Sequence, residues 1–196
     1  MSHPIEHLKR HLELTPGQES SMMSLMRERH FKRGDTISAV ADMRANSIYI
    51  HRGSARVYYL RGGREQTFSF SFADEFVMPS YHLLEHPESQ LTVEFLEPTI
   101  AYIIPMADMR MLMNELSRDH AAEAASIALT ALFELTRKHE ERILILQSAS
   151  ARERYNWLIT RYPIILKRAT ITQIASYLGI TKETLYRIRA GKYSSK

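Results

Sequence analysis

A short stretch near the end of the chain carries side chains that can form directed hydrogen bonds. Lys182, Glu183, Tyr186, Arg187 and Arg189 lie close together and are interrupted by the apolar Leu185 and Ile188. If the segment is helical, this spacing turns the apolar residues to one side and the charged residues to the other. Lysine and arginine donate to guanine O6 and N7, and glutamate accepts from cytosine N4. These side chains therefore favour recognition of base edges by hydrogen bonds over catalysis.

The residues around this stretch have the pattern of two helices joined by a tight turn. Ile174, Ala175 and Leu178 recur at helical spacing on the first helix. Gly179 can adopt the left-handed backbone of the turn, and Thr181 can cap the second helix. In a helix-turn-helix, the second helix lies in the major groove of DNA. An αα-hairpin without a ligand is the alternative. We expect DNA contacts from Thr172, Thr181, Lys182, Glu183, Thr184, Tyr186, Arg187 and Arg189.

The charge of the chain is unevenly distributed. Residues 148–196 hold ten of the 26 Lys and Arg residues but only two of the 22 acidic residues, which leaves 16 basic and 20 acidic residues in 1–147. A basic tail on a mildly acidic body favours a polyanionic partner for the tail. A solvated basic face without a partner would show the same charge pattern.

The segment that precedes the tail is long, helical and suited to pairing with a second helix. Asp119 to about Gln147 contains no Gly or Pro, and its seam residues recur at steps of four and three, the period of a helix pair. We expect this helix to pack on its own body on one side and on a twin on the other, although a buried helix within one chain is the alternative. The seam residues are Ala121, Ala125, Ala128, Leu132, Leu135, His139, Arg142 and Leu146. A further apolar cluster widens this stripe and consists of Ile127, Leu129, Phe133, Ile143, Leu144 and Ile145.

From Phe31 to Pro105 the hydrophobic period changes to two, which indicates many short strands and hence a sandwich or closed roll. Gly62-Gly63 between two such runs predicts a tight hairpin. Phe68, Phe70 and Phe72 alternate with serines, so one face of that strand is expected to be buried and the other to be lined by hydroxyls. Strands are predicted over 47–51, 55–60, 66–72, 92–96 and 100–104.

The remaining helices flank this β region. Residues 5–30 are predicted to be helical with a break at Thr15, which would cap a second helix that has Pro16 in its first turn. A short helix is expected over Met106–Met113. The tail helices are predicted over 151–161, 172–178 and 182–190.

These segments together resemble the Crp/Fnr-type transcription regulators, and the resemblance covers nearly the whole chain. It rests on Asn46–Gly53 followed by Ala55–Leu60, on Asp74–Val77 and on Ile174–Ile188. The resemblance implies a homodimer with a cyclic-nucleotide-binding-like β-roll, a central dimerisation helix and a helix-turn-helix. It places Lys182, Glu183 and Arg187 on the base-reading positions of the family.

Two departures from the family pattern affect the expected function. The glutamate that binds the ribose of a cyclic nucleotide is replaced by Pro79, and the phosphate-binding Arg-Ser pair falls near Ser89 and Gln90. Proline offers no acceptor and neither other residue supplies a cation to a buried phosphate. The sequence therefore predicts no binding of cyclic AMP or cyclic GMP of the usual kind. The residues after Lys192 are too few for the usual β-hairpin wing, so we expect a short-tailed variant.

Other chemistries find little support in the sequence. The chain has no Cys, which excludes disulfides and a catalytic thiol. His82 and His86 are the best candidates for metal ligands, but the His-x-His pair of a cupin-like site is absent. No nucleophile elbow, phosphate-binding loop, membrane span or secretion signal is evident. We therefore expect no enzyme activity, no cofactor, no metal and no membrane association, and a cytoplasmic location.

The interpretation is an α+β protein in three parts. Residues 1–118 are predicted to form a cyclic-nucleotide-binding-like double-stranded β-roll (a jelly roll) with flanking helices, residues 119–147 the dimerisation helix, and residues 148–196 an all-α helix-turn-helix domain. The expected function is a homodimeric transcription regulator that binds specific double-stranded DNA, with an unknown small-molecule effector as a further possible partner. The alternative is a small-molecule-binding β-roll whose helical tail docks on a protein partner.

Overall fold

The fold is α+β, with a β-roll, a long helix and a helical tail in chain order. The computed structural model describes residues 4–9, 15–38, 46–77, 91–105, 107–108, 111, 114 and 121–192. Within these residues, the helices are α1 (Pro4–Lys9), α2 (Pro16–Leu25), α3 (Ala121–Ser148), α4 (Ala151–Arg161), α5 (Ile165–Arg168), α6 (Ile171–Leu178) and α7 (Lys182–Arg189). The strands are β1 (Arg27–Phe31), β2 (Thr36–Ser38), β3 (Asn46–Arg52), β4 (Ser54–Arg61), β5 (Arg64–Phe72), β6 (Glu75–Val77), β7 (Thr92–Phe95) and β8 (Thr99–Pro105).

The eight strands form two antiparallel sheets of four, in the orders β1-β8-β3-β6 and β2-β7-β4-β5. This arrangement is the predicted roll, and all five predicted strands are confirmed with small changes at their ends. The core between the sheets includes Ile48, Val57 and Val93, and the rings of Phe31 and Phe95 stack there with centroids 3.9 Å apart. Burial of such apolar side chains stabilises the roll by about 1.5–3 kcal/mol for each side chain.

The start of the roll differs from the sequence prediction. The expected helix cap is confirmed, because the Thr15 side chain accepts a hydrogen bond from the Gln18 N–H and Pro16 opens α2. The helix ends at Leu25, however, and Arg27 begins strand β1, which pairs with β8. The prediction of helix up to residue 30 is wrong because β1 is an edge strand whose side chains are mostly exposed, so it lacks the alternating pattern of a strand with one buried face.

A β-bulge changes the surroundings of the phenylalanines in β5. Val57 pairs with Ser69, whereas Tyr58 pairs with Thr67, so Phe68 is the extra residue. Phe68 packs against the core of the roll, but Phe70 belongs to a second apolar cluster formed mainly by the tail. The predicted split into one buried face and one hydroxyl-lined face is therefore wrong, since both faces of β5 are covered.

The second apolar cluster joins the roll to the tail. Phe70 and Leu96 from the roll pack with Leu158 of α4, Ile174 of α6 and Leu185 of α7. The roll and the tail thus share one core. The division of the chain at residues 118 and 147 stays a prediction. Of the helix predicted over Met106–Met113, the described residues Ala107, Asp108 and Met111 are helical. No helix in the described part of the chain is long and apolar enough to cross a membrane.

Candidate nucleic-acid interface

Helix α6 is the first helix of the predicted helix-turn-helix and is defined at both ends by local bonds. The Thr170 side chain accepts from the Gln173 N–H at 3.2 Å, and the Gln173 side chain accepts from the Thr170 N–H at 2.8 Å. This reciprocal cap begins the helix. Gly179 ends it with a φ of 63°, the left-handed conformation that favours glycine, and the Ile180 N–H donates to the Ala175 carbonyl at 3.0 Å.

Helix α7 begins directly after this turn. The Thr181 hydroxyl accepts from the Thr184 N–H at 3.1 Å, and the two threonine hydroxyls lie 3.0 Å apart. The capping role predicted for Thr181 is confirmed. Thr184 is half-buried, and both hydroxyls already have a hydrogen-bond partner within the helix start. Their predicted contribution to DNA contacts is therefore shared with the capping of α7.

The two sides of α7 differ in exposure as the spacing predicts. Leu185 and Ile188 are buried against the tail. The side chain of Tyr186 is 58% exposed at the middle of the opposite face. The exposed residues on this outer face are Lys182, Glu183, Tyr186, Arg187 and Arg189. Five hydrogen-bonding side chains therefore point away from the protein on one short helix.

Thr172, the predicted site residue on α6, is exposed in the first turn of that helix. It lines the same cleft as Thr181, Lys182 and Glu183. The structure therefore brings together the site residues at the start of the two helices. Arg187 and Arg189 lie farther along α7 and do not line this cleft. Lys182 Nζ and Glu183 Oε1 are 4.0 Å apart, a distance that leaves both exposed groups available to other partners.

Two arginines donate hydrogen bonds to the last carbonyls of α6, and the sequence analysis predicted this role for neither of them. Arg142 of α3 donates to the Tyr177 carbonyl at 3.1 Å, and its guanidinium lies 4.5 Å from the centre of the Tyr177 ring. Arg154 of α4 donates to the Leu178 carbonyl at 3.3 Å. Cations at the carboxyl end of a helix satisfy its last carbonyls and complement its dipole. The only signal in the sequence was the place of Arg142 in the predicted seam.

The predicted seam of the long helix is wrong for its second half. Leu135, His139 and Arg142 line a cavity of about 50 Å³ that is enclosed by β5 and by tyrosines of the tail. Burial lowers the pKa of His139, and the nearby Arg142 and Lys138 lower it further. The large apolar residues that α3 exposes are instead Leu129, Leu132, Phe133, Ile143 and Leu144. Leu132 belongs to the predicted seam, and the other four belong to the apolar cluster predicted beside it. The side of the helix that meets the roll and the tail is set by tertiary packing.

The predicted effector positions Pro79, Ser89 and Gln90 lie outside the described residues, as do His82 and His86. Among the residues that are described, no group of three or more His, Asp or Glu side chains is placed to hold a metal ion. Arg168 of α5, which could otherwise serve as a phosphate contact, forms an ion pair with Glu97 of the roll.

Comparison with solved structures identifies the fold. FixK2 from Bradyrhizobium japonicum is similar with a TM-score of 0.66 at 19% identity, over 85% of this chain and 83% of that chain. A transcriptional regulator of the crp/fnr family from Eubacterium rectale has a TM-score of 0.64 at 18% identity, over 91% of this chain and 83% of that chain. A CooA mutant from Carboxydothermus hydrogenoformans has a TM-score of 0.68 at 16% identity, over 97% of this chain and 84% of that chain. Neither a family model nor a curated protein sequence matches the chain. The chain has the fold of Crp/Fnr-type regulators.

Proposed function

We propose that the protein is a homodimeric transcription regulator that reads specific double-stranded DNA with α7. The observation that carries this proposal is the amphipathic exposure of α7, which buries Leu185 and Ile188 and presents Lys182, Glu183 and Arg187 to solvent. These groups match the donors and acceptors of base edges in the major groove. The likeness in fold to a regulator of the crp/fnr family supports the same function.

A second copy is part of the proposal because dimeric helix-turn-helix proteins read two half-sites with two recognition helices. Leu129, Leu132 and Phe133 form one exposed apolar group on α3, and Ile143 and Leu144 form another. All five are at least half exposed, and a contiguous exposed apolar surface is characteristic of a protein interface. Pairing of two α3 helices through these residues buries them and presents two α7 helices. The half-sites on DNA are then about 34 Å, or one helical turn, apart.

The effector part of the proposal rests on the sequence. The side chain of Pro79 supplies no acceptor for the ribose, and Ser89 and Gln90 supply no cation for a cyclic phosphate, so the regulator does not respond to cyclic AMP or cyclic GMP through the usual site. Calorimetric titration of cyclic AMP at micromolar concentration is expected to show no heat. Saturable binding in that titration contradicts this part of the proposal and leaves the DNA-binding part intact.

The central experiment is a selection of genomic DNA fragments with the purified full chain, followed by affinity measurement across salt concentration. Enrichment of a near-palindromic sequence and a steep loss of affinity with salt are expected, because several phosphates are neutralised per subunit. No enrichment together with a flat salt response contradicts the proposal. That result favours the alternative in which the β-roll binds a small molecule and the tail docks on a protein.

A further inference from the structure

A cleft of about 1000 Å³ separates the tip of the β4–β5 hairpin from the helix-turn-helix. Arg64, Glu65 and Gln66 line it on the roll side, and Thr172, Thr181, Lys182 and Glu183 are among the residues that line it on the tail side. The hairpin tip therefore stands beside the start of α7, which is the end that a helix-turn-helix turns toward DNA. This proximity makes the hairpin a candidate part of the same interface.

The hairpin tip carries two cations that are not used within the described part of the protein. Arg61 and Arg64 are the last pair of the β4–β5 ladder, and both are exposed. Neither forms an ion pair with any residue that the structure describes. The neighbouring acid, Glu65, is engaged by the buried Arg56, which also binds Glu94 at 2.6 Å. The net charge that the tip offers to a partner is therefore positive.

The turn between the two arginines is narrow and lets them approach a large partner. Gly62 and Gly63 have φ values of 58° and 72°, so the hairpin closes with two left-handed residues, as in a type I′ turn. A Cβ added at either glycine would meet nothing within 4 Å. The two turn residues therefore border open space and carry no side chains.

The hairpin is bonded to α6 close to its tip, which fixes the tip relative to the helix-turn-helix. The Thr67 N–H donates to Ser176 Oγ at 2.8 Å, and the Ser176 hydroxyl donates to the Glu65 carbonyl at 3.2 Å. Gln173 Nε2 donates to Glu94 of β7 at 3.4 Å, a second link between α6 and the same sheet. Because these bonds lie directly behind Arg64, the tip follows α6 and α7 when they approach DNA.

We propose that Arg61 and Arg64 of the β4–β5 hairpin bind phosphates of the DNA backbone beside the site that α7 reads. This inference rests on the proposed function and extends the interface from the tail to the roll. The contacts are to phosphates because the two arginines flank a turn without other side chains, and Arg64 lies across the cleft from the start of α7. Phosphate contacts position a protein on DNA and carry no base preference.

The test compares the wild-type chain with the double variant Arg61→Gln and Arg64→Gln on two duplexes, the selected site and a scrambled sequence. The variant is expected to bind both duplexes more weakly by a similar factor. Its plot of log affinity against log salt is expected to be shallower by ~0.9 for each phosphate that the variant no longer neutralises. Base preference, measured as the affinity ratio of the two duplexes, is expected to stay as in the wild type.

The matched control is Arg33→Gln in the turn between β1 and β2. Gly34 of that turn donates to the Phe95 carbonyl, and Phe95 pairs with Ala55 at the far end of β4. At ~3.3 Å per residue, Ala55 and Arg61 are about 20 Å apart, so Arg33 is remote from the hairpin tip. The control is expected to leave affinity and salt slope unchanged.

Three results overturn the inference, and they differ from one another. If the wild type binds with a steep salt slope and the double variant is identical, the hairpin does not contact DNA and the proposed function stands. If the variant loses affinity only for the selected site, the arginines read bases and not phosphates. If the wild type binds no DNA at low salt, the proposed function and this inference fall together.

Discussion

The ring of Phe70 in β5 lies 5.0 Å from the ring of Tyr177 in α6, centroid to centroid. This contact places a side chain of the roll inside the apolar cluster of the tail. Tyr177 is buried, and its hydroxyl has a raised pKa because burial disfavours the charged form. The first helix of the helix-turn-helix therefore packs against the β-roll as well as against α3.

Phe70→Ala is expected to lower the free energy of unfolding by about 3–5 kcal/mol, because it removes a large buried side chain from the cluster that the roll and the tail share. Phe70 is 6% exposed. Urea denaturation can be followed by circular dichroism and by the fluorescence of Trp157, the only tryptophan, which packs against the same cluster. Because the roll and the tail share this core, both signals are expected to shift together.

Phe76→Ala is the matched control for this experiment, since Phe76 is 38% exposed and lies outside the shared cluster. A smaller loss of stability is expected for it. A shift of the fluorescence transition without a shift of the circular dichroism transition would show that the tail unfolds by itself, which contradicts the shared core.

Arg187→Ala is expected to cost about 1–3 kcal/mol at the selected DNA site and to relax base preference at one position. Arg187 lies on the exposed outer face of α7, where its guanidinium can donate two hydrogen bonds to guanine. Affinity is measured on the selected site and on all single-base variants of it. An equal loss on every sequence would make Arg187 a phosphate contact, and Arg33→Ala serves as the remote control.

Phe133→Glu is expected to abolish the dimer. Phe133 is 70% exposed on α3, and a charge placed there stays hydrated in a monomer but must be buried in a paired molecule. Sedimentation velocity of the wild type and the variant measures the change. Met23→Glu, at an exposed apolar position of α2, controls for the added charge and is expected to stay dimeric. A wild type that sediments as a monomer contradicts the dimer proposal.

The stability of the protein is expected to fall as the pH drops below about 6.5, with a contribution from His139. The pKa of this side chain is lowered in the folded protein, so the unfolded chain binds the proton first and gains relative stability. The loss of stability that His139 causes is complete once the pH is below the pKa of His139 in the folded protein. Lys138 and Arg142, which flank His139, oppose its protonation, while Lys138 is paired with Glu75 of β6.

His139→Gln isolates this contribution. The free energy of unfolding is measured by urea denaturation at several pH values between about 7.5 and 5. The variant is expected to lose less stability than the wild type over this range, because it lacks the group that the unfolded state protonates. Parallel pH profiles for the two proteins would show that His139 titrates alike in the folded and unfolded states.

Local signals in the sequence were sufficient to predict the ends of the two helices of the helix-turn-helix. Thr181 and Gly179 act within one turn of the helices that they begin and end, so residue type alone determines the caps. The apolar spacing of α7 likewise determined which side is buried. The strands of the roll followed from their alternation, and their number and spacing indicated a sandwich or a closed roll. The choice of a cyclic-nucleotide-binding-like roll came from the resemblance to Crp/Fnr-type regulators.

Tertiary structure decided the features that depend on partners distant in sequence. Arg27–His30 form an edge strand only because β8 offers them its backbone, and their exposed side chains give no local sign of it. Phe70 faces the tail and Phe68 the roll because a bulge in the pairing with β4 separates them. His139 and Arg142 were predicted to lie in a seam between two helices, but they line a cavity within the chain. Because α3 has apolar residues on several sides, its sequence does not determine which side is buried, and the packing of β5 and α6 decides it.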